Sequence, residues 1–129
     1  MKLTENFSLP EFQSKDFGFF PEDVKVNIQK LANNLQVLRD HFGSAITINS
    51  GYRSPAHNER IGGVKNSYHV KGMAADIVIK GVSPYALAKQ IEMLIDGGKM
   101  TQGGIGIYDT FTHYDIRGHA ARWNQQTKK

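Results

Sequence analysis

Cysteine is absent from the 129 residues. Disulfides and thiolate metal sites are therefore excluded, and any metal would have to be held by His, Asp or Glu. Long apolar runs are also missing. Nothing is long enough to cross a membrane, and Met1-Lys2-Leu3-Thr4-Glu5-Asn6 lacks the apolar stretch of a secretory signal. The expectation is a soluble protein made in the cytosol, with no membrane partner; action outside the cell would need delivery by something else. Clustered positive charge is equally scarce. The formal net charge is +4, yet lysines and arginines are scattered and only Lys128-Lys129 are adjacent. With no aromatic-plus-basic motif, nucleic acid is not expected as a partner. An acidic polymer such as a bacterial cell wall would suit the charge.

At this length, with 40% hydrophobic and 22% charged residues, the chain is expected to form one domain around one core, residues 1–129, and to be a monomer. In residues 1–20 polar residues alternate with Phe7, Leu9, Phe12, Phe17, Phe19 and Phe20, which read as packing anchors. Ser8-Leu9-Pro10-Glu11 has the pattern of a helix start. The spacing of Val24, Ile28, Leu31, Leu35 and Leu38 predicts a helix over residues 21–42 with one apolar stripe, ended by Gly43. Ile46-Thr47-Ile48-Asn49 alternates like a half-buried strand. A short helix is expected at residues 55–60, a glycine-containing loop at 61–67 and a second strand at 76–80. Ser83-Pro84 opens another helix with Leu87, Ile91, Leu94 and Ile95 on its apolar face. Residues 103–108 and 111–117 read as a hairpin turning at Asp109-Thr110, and residues 118–129 as a polar tail with Trp123. The order predicts an α+β fold with a small, mainly antiparallel sheet and flanking helices.

Chemistry concentrates in residues 67–76, Ser-Tyr-His-Val-Lys-Gly-Met-Ala-Ala-Asp. His69 and Asp76 read as two ligands of a catalytic zinc, which takes three protein ligands and leaves a position for water. His113 is the candidate third. Along its strand, His113, Asp115 and Arg117 share a face. His41, His57 and His119 read as surface, structural or substrate-contact residues.

Ser67-x-His69-x-x-Gly72-x-Ala74-x-Asp76 resembles the signature of the zinc D-alanyl-D-alanine carboxypeptidase family, which includes L-alanyl-D-glutamate endopeptidases and shares its fold with the hedgehog signalling domain. Ser50-Gly51-Tyr52-Arg53-Ser54-Pro55-x-x-Asn58 is similar to its arginine-bearing segment. Gly104-Ile105-Gly106-Ile107-Tyr108 with Phe111-Thr112-His113-Tyr114-Asp115-Ile116-Arg117-Gly118 resembles its third-ligand strand. The resemblance spans roughly residues 3–123. It implies a hedgehog/DD-peptidase-like fold, Zn2+ held by His69, Asp76 and His113, Arg53 holding a substrate carboxylate, Ser67 as a hydrogen-bonding neighbour and Gly72 as a backbone turn. The implied reaction is hydrolysis of peptidoglycan stem peptides, at D-Ala-D-Ala as a carboxypeptidase or at L-Ala-D-Glu as an endopeptidase, by a zinc-activated water whose pKa falls to ~7. A phage-type lysis enzyme fits the small, basic chain.

Many such proteins carry a carboxylate three residues before the third ligand, where this chain has Thr110. Asp115 is the preferred proton acceptor, or otherwise a partner orienting a zinc-bound His; Asp109 is the runner-up. A non-catalytic binding or assembly module of the same fold is the alternative.

Overall fold

The computed structural model describes residues 1–127; the adjacent lysines expected as a basic tail lie outside the described residues. After a single 3-10 turn at Leu9–Phe12 come α1 (Glu22–Phe42), β1 (Ile46–Ser50), α2 (Pro55–Arg60), β2 (Ala74–Ile79), α3 (Pro84–Asp96), β3 (Gly104–Ile107), β4 (Thr112–Asp115) and β5 (Ala121–Asn124). This is the expected α+β fold. Among the described residues, no helix is long and apolar enough to cross a membrane.

The expected apolar stripe of α1 is buried: Val24, Ile28, Leu31, Leu35 and Leu38, with Ala32 between them. The helix stops at Gly43, whose left-handed φ of 67° lets its N–H reach the Arg39 carbonyl. α3 starts as read, with the Ser83 hydroxyl accepting from the Ala86 N–H. The start signal at Ser8 yields only one 3-10 turn, with Glu11 reaching back to the Ser8 N–H. Four residues do not cover the cost of nucleating an α-helix.

The sheet order is β1-β2-β4-β3-β5. All pairs are antiparallel except β3 with β5, which is parallel. Alternation along the strands divides labour between the two faces. Ala75, Ile77 and Ile79 of β2, Ile105 of β3 and Tyr114 of β4 join the core built with α1 and α3. The positions between them, which include Asp76, Gly104, Gly106, His113 and Asp115, face the other way, under the loop that runs from β1 to β2.

Two sequence expectations need correction. The polar tail after residue 118 contains β5, whose alternating half-buried and exposed residues make an edge strand. Such a strand is held by backbone pairing to β3 and carries little apolar signal. The N-terminal aromatics do not all anchor the core. Phe7 and Phe12 are buried, whereas Phe17 and Phe19 are more than 80% exposed. Phe17 adopts φ 59°, and its segment is held by polar bonds instead, from the Gly18 N–H and the Ser54 hydroxyl to the Asp16 carboxylate.

Leu35→Ala is expected to cost about 2–5 kcal/mol, the range for emptying a fully buried leucine site. Phe19→Ser should change stability by no more than about 0.5 kcal/mol. Urea unfolding of both variants checks the pair.

Candidate metal centre

Strand register builds the site. Ser50 pairs with Asp76, Asp76 with His113, His113 with Gly106, and Gly106 with Trp123. These five residues form one row across all five strands. Asp76 and His113 are thus direct cross-strand neighbours, and the His113 Nδ1 lies 3.1 Å from the Asp76 Oδ1.

His69 reaches the same carboxylate from the loop before β2. Its Nδ1 lies 2.7 Å from the Gly51 carbonyl, which makes Nδ1 the protonated donor. That leaves Nε2, 3.3 Å from the Asp76 Oδ1, to face the other two groups. The backbone locks the loop as well: the Arg53 N–H donates to the His69 carbonyl and the His69 N–H donates to the Ser67 hydroxyl. Gly72 turns the chain from this loop into β2 at φ 74°, and a Cβ there would come within 2.8 Å of Val24. Both the turn and the close approach demand glycine.

The donor set fits a tetrahedral zinc site. One atom from each of His69, Asp76 and His113 lies within 4.8 Å of the others, and all three residues are buried. Bond lengths of 2.0–2.1 Å place neighbouring tetrahedral ligand atoms ~3.3 Å apart. The two observed separations to Asp76, 3.3 and 3.1 Å, match that spacing. Among the described residues this is the group of such side chains able to hold an ion; His41, His57 and His119 stand outside it. His41 bonds Gln90, joining α1 to α3.

Asp115 lies behind His113, fully buried. The His113 Nε2 is 2.7 Å from its Oδ2, so a proton on Nε2 leaves Nδ1 as the lone-pair nitrogen on the Asp76 side. Arg117 grips the same carboxylate through Nε and Nη2 at 2.9 and 2.7 Å, and the backbone N–H groups of Gly104 and Arg117 also donate to it. Asp109 sits elsewhere: its oxygens accept from the Thr127 N–H and hydroxyl.

A cleft of about 410 Å³ opens over the site. Arg53 and Ser67 line it, and among the described residues Asp76 is the one carboxylate in its lining. The Arg53 Nη1 bonds the Asn58 side chain and its Nη2 lies 3.8 Å from Asp76 Oδ2. The opposite wall carries Trp123, Tyr108 and Phe111, to which the sequence assigned no part in the site. Trp123 lies against the His113 ring, centroids 5.0 Å apart, and its indole N–H donates to the Tyr108 hydroxyl. Tyr108 stacks on Phe111 at 4.4 Å, and the Arg117 guanidinium lies over the Tyr68 ring. Glycine makes this wall possible. A Cβ on Gly106 would lie 2.4 Å from the indole, and one on Gly104 would lie 2.3 Å from Asp115 Oδ2. Their alternation in β3 was the available signal: two empty positions beside the His113 strand imply that something large crosses above them.

The charges support one another. Burial pushes the Asp76 carboxyl up, but the His113 and His69 imidazoles set against it outweigh burial and hold it well below the usual range. Burial likewise opposes ionisation of Asp115, and His113, Arg117 and Gly104 overcome it. Burial alone would lower the His113 value; its bonds to Asp115 and Asp76 raise it.

Residues 6–115 match the family model described as Peptidase M15. A search of curated proteins finds similarity to the "Probable peptidoglycan L,D-endopeptidase MepK" of Haemophilus influenzae, 35% identical over 133 residues, covering 88% of this chain and 68% of that protein.

The three shifts contribute to the pH dependence of the metal-free protein. Depressed Asp76 and Asp115 contribute stability above about pH 4, lost as pH falls; raised His113 contributes stability below about pH 6.5, lost as pH rises through its raised value. The thermal midpoint of chelator-treated protein is expected to be highest between about pH 4 and 6.5 and to fall on both sides, which calorimetry from acid to alkaline pH checks.

Proposed function

Because the chain belongs to the peptidase M15 family, we propose that it is a zinc peptidase that hydrolyses stem peptides of peptidoglycan. The observation that carries this reading is the convergence of His69, Asp76 and His113, one ligand atom of each within 4.8 Å of the others, in the lining of an open cleft. The similarity to a Haemophilus protein named as a probable L,D-endopeptidase favours an internal cut, such as L-Ala-D-Glu, over release of a terminal D-Ala. A phage-type route to the wall belongs to the same proposal and rests on the small basic chain.

His69 through Nε2, Asp76 through Oδ1 and His113 through Nδ1 would hold the ion. Zinc bound there would supply Lewis-acid polarisation of the scissile carbonyl and of the attacking water. The protein's own groups do the rest. Arg53 presents a planar fork, suited to a substrate carboxylate, at the Asp76 edge of the cleft. Ser67 braces the His69 backbone and keeps its side chain at the cleft wall.

Of the two roles open to Asp115, its surroundings favour orienting His113 over accepting a proton from water. Five hydrogen-bond donors surround a carboxylate that is wholly buried behind the ligand ring. Asp109 does not line the cleft. One observation favours a second reading, a metal-holding module that binds wall peptides without cutting them: among the described residues, Asp76 is the one carboxylate lining the cleft.

Metal-loaded protein incubated with purified peptidoglycan is expected to expose new amino groups, and a chelator should abolish this. No release with zinc, manganese or cobalt would overturn the enzyme reading in favour of the binding module, and the newly exposed amino terminus identifies the bond cut. Asp115→Asn separates the two roles of that residue. An orienting role predicts metal affinity weakened about 10–100-fold in a competition titration; a proton-accepting role predicts unchanged metal affinity with turnover lost.

A further inference from the structure

Tyr108 stands on the flank of the site opposite Arg53. Arg53 follows β1, Asp76 is in β2, His113 in β4, and Tyr108 follows the last residue of β3, in a sheet ordered β1-β2-β4-β3. Arg53, the metal ligands and Tyr108 therefore succeed one another across the sheet. Neighbouring strands lie ~4.8 Å apart, so β3 is roughly 10 Å from β2 and one peptide unit beyond His113. Gly106 pairs with His113, and period-two alternation puts Tyr108 on the same face. Both aromatic partners of Tyr108 act on it. Phe111 stacks on its ring, and the Trp123 N–H donates to its oxygen at 2.8 Å. A phenol has one proton to give, and indole N–H is a donor only. The Trp123 bond thus occupies the Tyr108 oxygen as an acceptor and leaves its own O–H as a donor on a cleft that Tyr108 lines.

We propose that Tyr108 is a second substrate anchor, whose O–H donates to a backbone carbonyl of the bound peptide across the scissile bond from the carboxylate held by Arg53. The inference rests on the peptidase reading and deepens it. In either candidate cut the free carboxylate that Arg53 would take belongs to the amine side of the scissile bond. The carbonyl taken by Tyr108 then lies on the acyl side, one peptide unit towards the amino terminus. The site would measure the peptide from both ends. An acyl group on the residue whose carbonyl is attacked would be read directly, and substrates lacking it would lose the contact.

The test crosses one variant with one change of substrate. Tyr108→Phe keeps the ring and its stacking partner and removes only the hydroxyl. The metal-loaded protein and the variant are each assayed on two stem-peptide fragments that differ only in an N-acyl group on the residue whose carbonyl is cut. For the acylated fragment, kcat/KM of the variant is expected to fall about three- to tenfold, the range for one uncharged hydrogen bond. For the fragment without the acyl group it should change less than about twofold, with metal content unchanged in both cases. Equal losses on both fragments, or loss on neither, overturn the anchor while leaving the peptidase reading in place. Loss of metal by the variant also overturns it, since Tyr108 would then act through the fold. Failure of the parent protein to cut either fragment overturns the peptidase reading itself, and the anchor with it.

Discussion

The antiparallel register that sets Asp76 opposite His113 is the constraint on which the rest depends. Side chains alternate faces along a strand, so a slip of one residue would turn a candidate ligand into the core and a core residue out of it. The core prevents that slip. Ile77, Ile79 and Tyr114 are fully buried against the helical side, and each would have to exchange places with a polar or small neighbour. Burial of the apolar face therefore enforces the geometry of the polar one. α1 and α3 contribute no side chain to the candidate ligand set, yet their stripes help hold its register.

Charge is then arranged in layers around that pair. Asp76 faces both imidazoles, Asp115 backs His113, and Arg117 backs Asp115. A buried carboxylate is costly unless its lone pairs are occupied, and here each buried carboxylate has partners. The two imidazoles are oriented by different means, His69 by the Gly51 carbonyl and His113 by a carboxylate. Each bond settles which ring nitrogen is left for the cleft. A carboxylate partner also makes its imidazole more basic, so the two histidines are not equivalent donors.

Small residues give the cleft its shape. Gly104 leaves room for the Asp115–Arg117 pair, and Gly106 leaves room for the indole of Trp123 to reach His113 across an intervening strand. The aromatic wall that results faces Arg53 across the candidate metal centre.

Much was legible in residue order. The stripe of α1, the caps at Ser83 and Gly43, the hairpin of β3 and β4, and the shared face of His113, Asp115 and Arg117 follow from local periodicity and turn chemistry, because neighbours in sequence impose them. His69 and Asp76 were legible because one short segment carries both. Other features were decided only by the tertiary structure. That Trp123 belongs to the cleft depends on an edge strand pairing in parallel with β3, a long-range backbone contact without an apolar signature of its own. Whether Asp115 faces the cleft or the back of His113 depends on Arg117 and Gly104 closing around it. Periodicity puts a residue on a face; only the packing of that face determines which atoms its side chain meets.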